Sequence, residues 1–233
     1  MNCRRLEPEI MDDPALRAEQ HFEALDGLAR LNRWSRSTSI VWPVIERLAK
    51  RESGRPLHIL DIATGGGDIP IGIFHRAAKA GISVKLCGCD VSSRTVDYAR
   101  KRAREANAKV DFFELNALQD ELPQGYDIIL SSLFLHHLNS EQTEGLLRRM
   151  AQHARKMVVI NDLIRARSGL ILAHVATRLL TSSGVVHADG PQSVRAAYTL
   201  DEMREIAKRA GLDDITLVRR WPCRFLLTWE RRE

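Results

Sequence analysis

Three groups of residues in this chain have the types and spacing to do chemistry. The first is His58 to Asp68, His-Ile-Leu-Asp-Ile-Ala-Thr-Gly-Gly-Gly-Asp, where an apolar run ends at Asp61 and Gly65, Gly66 and Gly67 follow. Glycines at such a junction bring bare backbone close to a ligand, because no Cβ intervenes and positive φ is accessible. A helix N-terminus behind them presents unpaired N–H groups, which favour the negative end of a ligand. The second is Asp90, an acid closing the next apolar run, Cys87-Gly88-Cys89-Asp90. The third is His136, His137 and Asp162, two imidazoles and a carboxylate of the kind that removes a proton near neutral pH. The first two groups describe a nucleotide-type site at the carboxyl ends of strands.

The elements that must position these groups follow from periodicity. Residues 12–52 carry apolar residues at helical spacing. Asp12 or Asp13 with Pro14 predicts one helix start and Ser37 or Thr38 a second, and Ser53-Gly54-Arg55-Pro56 ends the pair. From residue 57 the rhythm becomes strand and helix in alternation. Strands are predicted at 57–62, 84–89, 110–115, 126–131 and 157–160, with helices at 69–80, 92–106 and 141–154 between them. Near-continuous apolar strands such as Met157-Val158-Val159-Ile160 fit a parallel sheet covered on both faces. Beyond residue 163 the spacing predicts a helix to about residue 182, a polar loop over 183–193, a helix over 199–210, and two closing strands at 215–218 and 224–229. The short connection between the last two makes them antiparallel.

The ligand class narrows by elimination. A dinucleotide fingerprint would place its third glycine at Pro70, which spoils close helix–strand packing. A P-loop needs Gly-Lys-Ser/Thr, and no lysine follows the glycines. What matches is the doubly wound S-adenosylmethionine-dependent methyltransferase superfamily, class I. Its first motif resembles Asp61-Ile62-Ala63-Thr64-Gly65-Gly66-Gly67-Asp68 and its second Asp90 before Val91-Ser92. The resemblance continues through Phe113 to Ala117, Tyr126 to Ser131 and Leu135 to Leu138, covering roughly residues 57–162. Ala63-Thr64 in place of Gly-Cys looks like the ubiquinone and menaquinone methyltransferases and their bacterial small-molecule relatives.

The resemblance implies an α/β fold: a doubly wound, seven-stranded, mostly parallel sheet with an antiparallel last strand, an N-terminal helical cap and a helical lid. It implies one domain, with a cap over 1–53, a cofactor core over 57–162, a lid over 163–198 and a closing helix and strands over 199–233. The implied cofactor is S-adenosylmethionine, leaving as S-adenosylhomocysteine, with no metal. Its implied contacts are Asp61, Ala63, Thr64, Gly65, Gly67, Asp90, Val91, Asn116, Ala117 and Ser132. Gly65 and Gly67 let backbone approach the methionine end, and Asp90 takes the ribose hydroxyls unless it only caps the next helix. Asp61 holds the ammonium through a water, or caps the turn. Asn116 stands where many members have an acid near the adenine; its amide oxygen can accept from the exocyclic amine. Arg33 or Arg36 is placed to meet the cofactor carboxylate.

The acceptor is less constrained. Ser131-Ser132-Leu133-Phe134 departs from the Asn-Pro-Pro-aromatic box of amide-nitrogen methyltransferases, and no acid stands at 131 or 132 for a metal-dependent catechol site. His137, and after it His136, is the candidate base for a phenolic or enolic proton, the alternative being support of the loop. Asp162 orients that histidine or acts itself, or else meets Arg165. The helix from Leu170 to Leu180 reads as an apolar pocket wall, with His174, His187, Asp189, Arg195 and Tyr198 as polar candidates of the lid. The expected reaction is methyl transfer to a hydroxyl, or secondarily a carbon, of an aromatic or polyketide-like small molecule.

Composition sets the outer bounds. The 233 residues, 44% hydrophobic and 28% charged, suit one globular domain with a full core. No apolar stretch is long enough to span a bilayer and no secretion signal is seen, so a cytoplasmic monomer or homodimer is expected. Cys3, Cys87, Cys89 and Cys223 show no zinc spacing and read as reduced thiols. A net charge of +5 keeps an RNA methyltransferase in view through Arg100 to Arg104, Arg148-Arg149 and Arg219-Arg220. Those clusters fall on different elements, which disfavours nucleic acid. A cofactor-binding partner protein without activity is the other rival.

Overall fold

The computed structural model describes residues 3–52 and 54–232, so Ser53 of the expected helix end lies outside the described residues. The strands are β1 (Leu57–Ile62), β2 (Val84–Asp90), β3 (Val110–Glu114), β4 (Ile128–Ser132), β5 (Met157–Leu163), β6 (Thr216–Arg220) and β7 (Arg224–Glu230). They form a single sheet in the order β3-β2-β1-β4-β5-β7-β6, with β7 antiparallel to both neighbours. The order reverses between β1 and β4, which pair in parallel from Ile59↔Ile128 to Ile62↔Ser131. A crevice opens outside their carboxyl ends, where sheets of this kind bind ligands.

Strand alternation sends side chains to two cores. On one face Leu60, Ile62, Ile129, Val158 and Ile160 pack with Leu146, Leu147 and Met150 of α5 (Ser140–His153) and with Met203 and Ile206 of α8 (Leu200–Arg209). On the other, Ile59, Ile128, Leu130 and Val159 meet Ile40, Val41 and Ile45 of α2 (Ser37–Arg51) and Ile73 of α3 (Asp68–Ala80). Each such side chain, fully withdrawn from water, contributes ~1.5–3 kcal/mol. These two layers hold the strand ends rigid, and the site stands on them.

Three expectations are corrected. The Asp12-Asp13-Pro14 start is not used: Asp13 instead folds a turn by accepting from the Ala15 N–H at 2.8 Å. The first helix, α1 (Ala18–Trp34), begins only after Arg17. The predicted loop over 183–193 is a helix, α7 (Gly184–Ala196). Its Val185 and Val186 bury against Ala24 of α1, and its Gly190 lies so close to α6 (Arg167–Leu180) that a Cβ there would stand 2.6 Å from Thr177. Tertiary packing thus overrides the weak helix propensity of glycine and proline. Finally, β5 runs on to Leu163, because residues 157–163 pair throughout with 224–230 of β7, and Asp162 is a strand residue near the sheet's end.

Candidate active site

The glycine turn between β1 and α3 is built by short hydrogen bonds. The Thr64 hydroxyl donates to Asp61 Oδ2 at 2.7 Å, the Thr64 N–H to the Cys89 carbonyl at 2.9 Å, and the Gly67 N–H to the Thr64 carbonyl at 3.0 Å. Gly65 and Gly67 both hold positive φ, +53° and +73°, but to different ends. A Cβ on Gly67 would stand 2.8 Å from the Phe112 ring, so this glycine serves packing and does not line the cavity. A Cβ on Gly65 would meet nothing within 4 Å, because its face opens on the cavity. The Asp90 carboxylate locks the turn to β2, accepting from the Gly65 N–H at 3.0 Å and the Ser92 N–H at 3.1 Å. Each of its oxygens keeps a second lone pair for a ligand.

The cavity, about 930 Å³, is at the upper end for small-molecule sites. Besides the turn, Val91, Leu115, Asn116, Ala117 and Ser132 line it, which gathers every expected cofactor contact except Gly67. Val91 is 62% exposed, an apolar face with nothing against it but the cavity. Asn116 Oδ1 already accepts from the Leu118 N–H at 3.0 Å, so any ligand contact uses its remaining lone pair or its amide. Asp61 is 2% exposed, and its Oδ1 has no protein partner; burial raises its pKa to about 8. The Ser132 hydroxyl is also buried without a protein partner.

The third group comes together where β4 and β5 end. The backbone turns sharply after β4, with Leu133 at φ +58° and its N–H on the Asn161 carbonyl at 2.8 Å, and a single helical turn follows over Leu135–His137. That turn drops His136 beside β5. Its Nδ1 lies 2.7 Å from Asp162 Oδ1, and its backbone N–H donates to Asp162 Oδ2 at 3.3 Å. Both residues are buried. Burial alone would push the Asp162 pKa up, but the favourable electrostatics and hydrogen bond of the His136 ring, with the Leu163 N–H and the field of His137, outweigh it and hold the carboxyl below its ordinary range. Arg165, the other partner considered, is taken up by Glu202 at 2.6 Å and 2.9 Å.

His137 differs. Burial opposes its charge, yet the hydrogen bond to Asp12 and the fields of Glu9, Asp12 and Asp162 prevail and raise its pKa to about 9. At neutral pH that favours the imidazolium, which has no lone pair to take a proton. His136 Nδ1 faces a carboxylate, and its Nε2 points the other way. That nitrogen is 3.9 Å from Glu9, as is His137 Nε2. Glu9, His136 and His137 also offer three ligand atoms within 4.8 Å of one another, the place among the described residues where a cation would find most donors.

Glu9 and Asp12 were not legible as site residues. They ride on an N-terminal strap tied down by polar contacts. The Arg4 guanidinium donates to the carbonyls of His136 and Leu138 at 2.9 and 2.6 Å and to the Tyr198 hydroxyl at 2.8 Å. The buried Asp189 accepts the N–H groups of Ile10 and Met11 at 3.0 Å each. Two of the expected lid residues, Asp189 and Tyr198, therefore hold the strap, while His187 binds the Thr181 carbonyl at 2.9 Å and His174 is exposed. The apolar wall is narrower than expected. Leu172, Ala173, Ala176 and Val194 line the cavity, whereas Ile171, Val175 and Leu179 turn outward. Arg33 and Arg36 are exposed and line nothing; Arg224, at the start of β7, lines the cavity instead.

Residues 59–157 match the sequence model of a family described as a methyltransferase domain. A release factor glutamine methyltransferase of Flavobacterium psychrophilum is 30% identical over 181 residues, 76% of this chain and 59% of that protein. A demethylmenaquinone methyltransferase of Thermus thermophilus is 30% identical over 107 residues, 45% of this chain and 47% of that protein. The chain thus spans about half the length of these curated relatives. The solved O-methyltransferase family 2 protein of Planctomyces limnophilus, in complex with apigenin, shares the fold with a TM-score of 0.61 at 18% identity, over 95% of this chain and 63% of that one.

Proposed function

Because this chain belongs to the class I S-adenosylmethionine-dependent methyltransferases, we propose that it methylates a hydroxyl on an aromatic or polyketide-like small molecule. The residues present fit the cofactor. The open face of Gly65, the unpartnered Oδ1 of Asp61 and the spare lone pairs of Asp90 offer backbone, anion and acceptors where an ammonium and a ribose diol need them. When bound, that cofactor supplies an electrophilic methyl on a cationic sulfonium. The chain must then orient the acceptor oxygen in line and remove its proton.

The observation that carries the reading is the buried pair of Asp162 and His136 at the cavity wall. Asp162 fixes the imidazole with its proton on Nδ1, and Nε2 receives the hydroxyl proton as the methyl transfers. The imidazolium of His137 beside it stabilises the oxygen anion as charge develops. The N-terminal helices and residues 163–198 cover the acceptor from two sides.

The named relatives span nitrogen, carbon and oxygen acceptors, so likeness alone does not choose among them. Residues do. Ser131-Ser132-Leu133-Phe134 takes the place of the Asn-Pro-Pro-aromatic box expected for a glutamine amide. Three of the arginines that would favour RNA are engaged locally: Arg102 on the Gly66 carbonyl, Arg148 on Glu144 and Arg149 on the Ala117 carbonyl. A carbon acceptor needs its own proton removed, and the same pair serves it second best, since a hydroxyl proton is nearer in pKa to an imidazole.

The test is methyl transfer to phenols of graded acidity by the protein and by His136→Ala. A phenol with a pKa near 10 should lose ~10²–10⁴-fold in turnover, and one already ionised at the assay pH should lose little. A uniform loss across the series contradicts the base assignment. Inhibition of the wild type by a chelator, reversed by a divalent ion, would assign the Glu9, His136 and His137 cluster to a metal instead.

A further inference from the structure

A buried cation in this molecule has carboxylates near it, Asp162 and Asp68, but none in direct contact. Arg224 begins β7 opposite Leu163 of β5, is 5% exposed, and lines the cavity. Its guanidinium donates to Ser37 Oγ at 2.6 Å, Ser35 Oγ at 2.8 Å and Asn32 Oδ1 at 3.1 Å. All three partners are neutral, and among the described residues no carboxylate forms an ion pair with it. Burial lowers its pKa to about 10, which leaves it charged at neutral pH. Asp162 and Asp68 reach it only through their fields, and a desolvated guanidinium hydrogen-bonded only to neutral oxygens is costly unless a counter-ion in contact completes it. Its fork of donors matches a carboxylate.

The surroundings say which carboxylate. Asn32 stands between Arg224 and Asp68, the first residue of α3: it accepts from Arg224, and both residues help to hold down the Asp68 pKa, which burial raises. Asp68 and Asp61 both line the same end of the cavity, and Asp61 Oδ1 has no protein partner. One cation and two acids thus face a single end of the cavity next to the glycine turn. Such a constellation complements a group bearing a carboxylate and an ammonium on one carbon.

We propose that Arg224 binds the carboxylate of the amino-acid end of the sulfonium cofactor, with Asp61 and Asp68 receiving its ammonium. This rests on the cofactor reading above and assigns to the last strand a part expected of Arg33 or Arg36 in the N-terminal helical region. Ser35, Ser37 and Asn32 act as positioning residues that aim the guanidinium.

The experiment compares the full chain's affinity for S-adenosylmethionine, for decarboxylated S-adenosylmethionine, which keeps the ammonium, and for 5′-methylthioadenosine, which lacks the whole amino-acid end. Calorimetry on the wild type should show the first bound about 10–100-fold tighter than the second, the range of a charge-assisted hydrogen-bonded pair. In Arg224→Met that ratio should fall towards one, with 5′-methylthioadenosine binding unchanged. Arg224→Lys, which keeps the charge but not the fork, should give an intermediate ratio. A ratio near one in the wild type overturns the proposal without any variant, as does a ratio that survives in Arg224→Met. Failure of the wild type to bind any of the three would remove the cofactor reading itself, and this proposal with it.

Discussion

Asp162→Asn is the sharpest perturbation of the proposed proton acceptor. The carboxylate is 1% exposed, accepts the Leu163 N–H at 2.6 Å and holds His136 Nδ1 at 2.7 Å. An amide keeps its shape but presents a dipole in place of the charge. His136 then loses the partner that keeps its proton on Nδ1, and Nε2 no longer accepts. Without a base, only acceptor that ionises on its own reacts. For a phenol with pKa near 10 that is about one molecule in 10³ at pH 7, so turnover should fall by roughly 10³. The defect should shrink about tenfold for each unit of rising pH and close near pH 10. Asp162 meets no proposed cofactor atom and reaches Arg224 only through its field, so cofactor affinity should move far less than turnover. The assay is initial rate against pH for wild type and variant under saturating cofactor. A loss under tenfold at pH 7, or a large loss that does not recover with pH, refutes the reasoning.

Other outcomes follow from the same geometry. Cofactor binding should release protons near pH 7, since Asp61, with its pKa at about 8, must ionise to meet an ammonium. Calorimetry in buffers of different ionisation heat reads this directly, with affinity rising towards pH 8; no proton release contradicts it. His137, with its pKa raised to about 9 from 6.5, contributes stability that is fully present below pH 6.5 and lost as pH rises through 9. Denaturant unfolding of wild type minus His137→Gln should therefore shrink over that window, by an amount on the order of 2–3 kcal/mol. Gly67→Ala, forced against Phe112 at positive φ, should cost ~1–3 kcal/mol of stability, whereas Gly65→Ala should weaken cofactor binding more than it weakens the fold. Equal effects of the two on melting and binding would contradict their assigned parts.

Much of the frame was legible because local pattern and global fold agree. The buried strands announce themselves as apolar runs, and β1 starts and stops at the predicted residues 57–62. Asp61, Gly65 and Asp90 were legible because a turn and two strand ends place their residues by short-range rules. What escaped depended on distant chain. The strap carrying Glu9 is fixed by Arg4 and Asp189, neither of which leaves a periodic signal. Arg224 reaches the cavity only because β7 inserts beside β5, and the exposed Arg33 was the nearer guess by sequence. The helix α7 was hidden by Gly190 and Pro191, since what holds it is packing on α1 and α6 rather than propensity. The exchange of roles proposed for the two histidines rests on which carboxylate each one meets, and adjacent positions in sequence cannot show that.

The central claim is transfer of a methyl from a sulfonium to a small-molecule oxygen. It is tested most directly by incubating the chain with methyl-labelled S-adenosylmethionine and a mixed panel of phenols, quinols, a glutamine-bearing peptide and RNA, then locating the label. The account predicts label on a phenolic oxygen, insensitive to added salt. Label on a ring carbon, an amide nitrogen or RNA, or cofactor bound without any transfer, would contradict it.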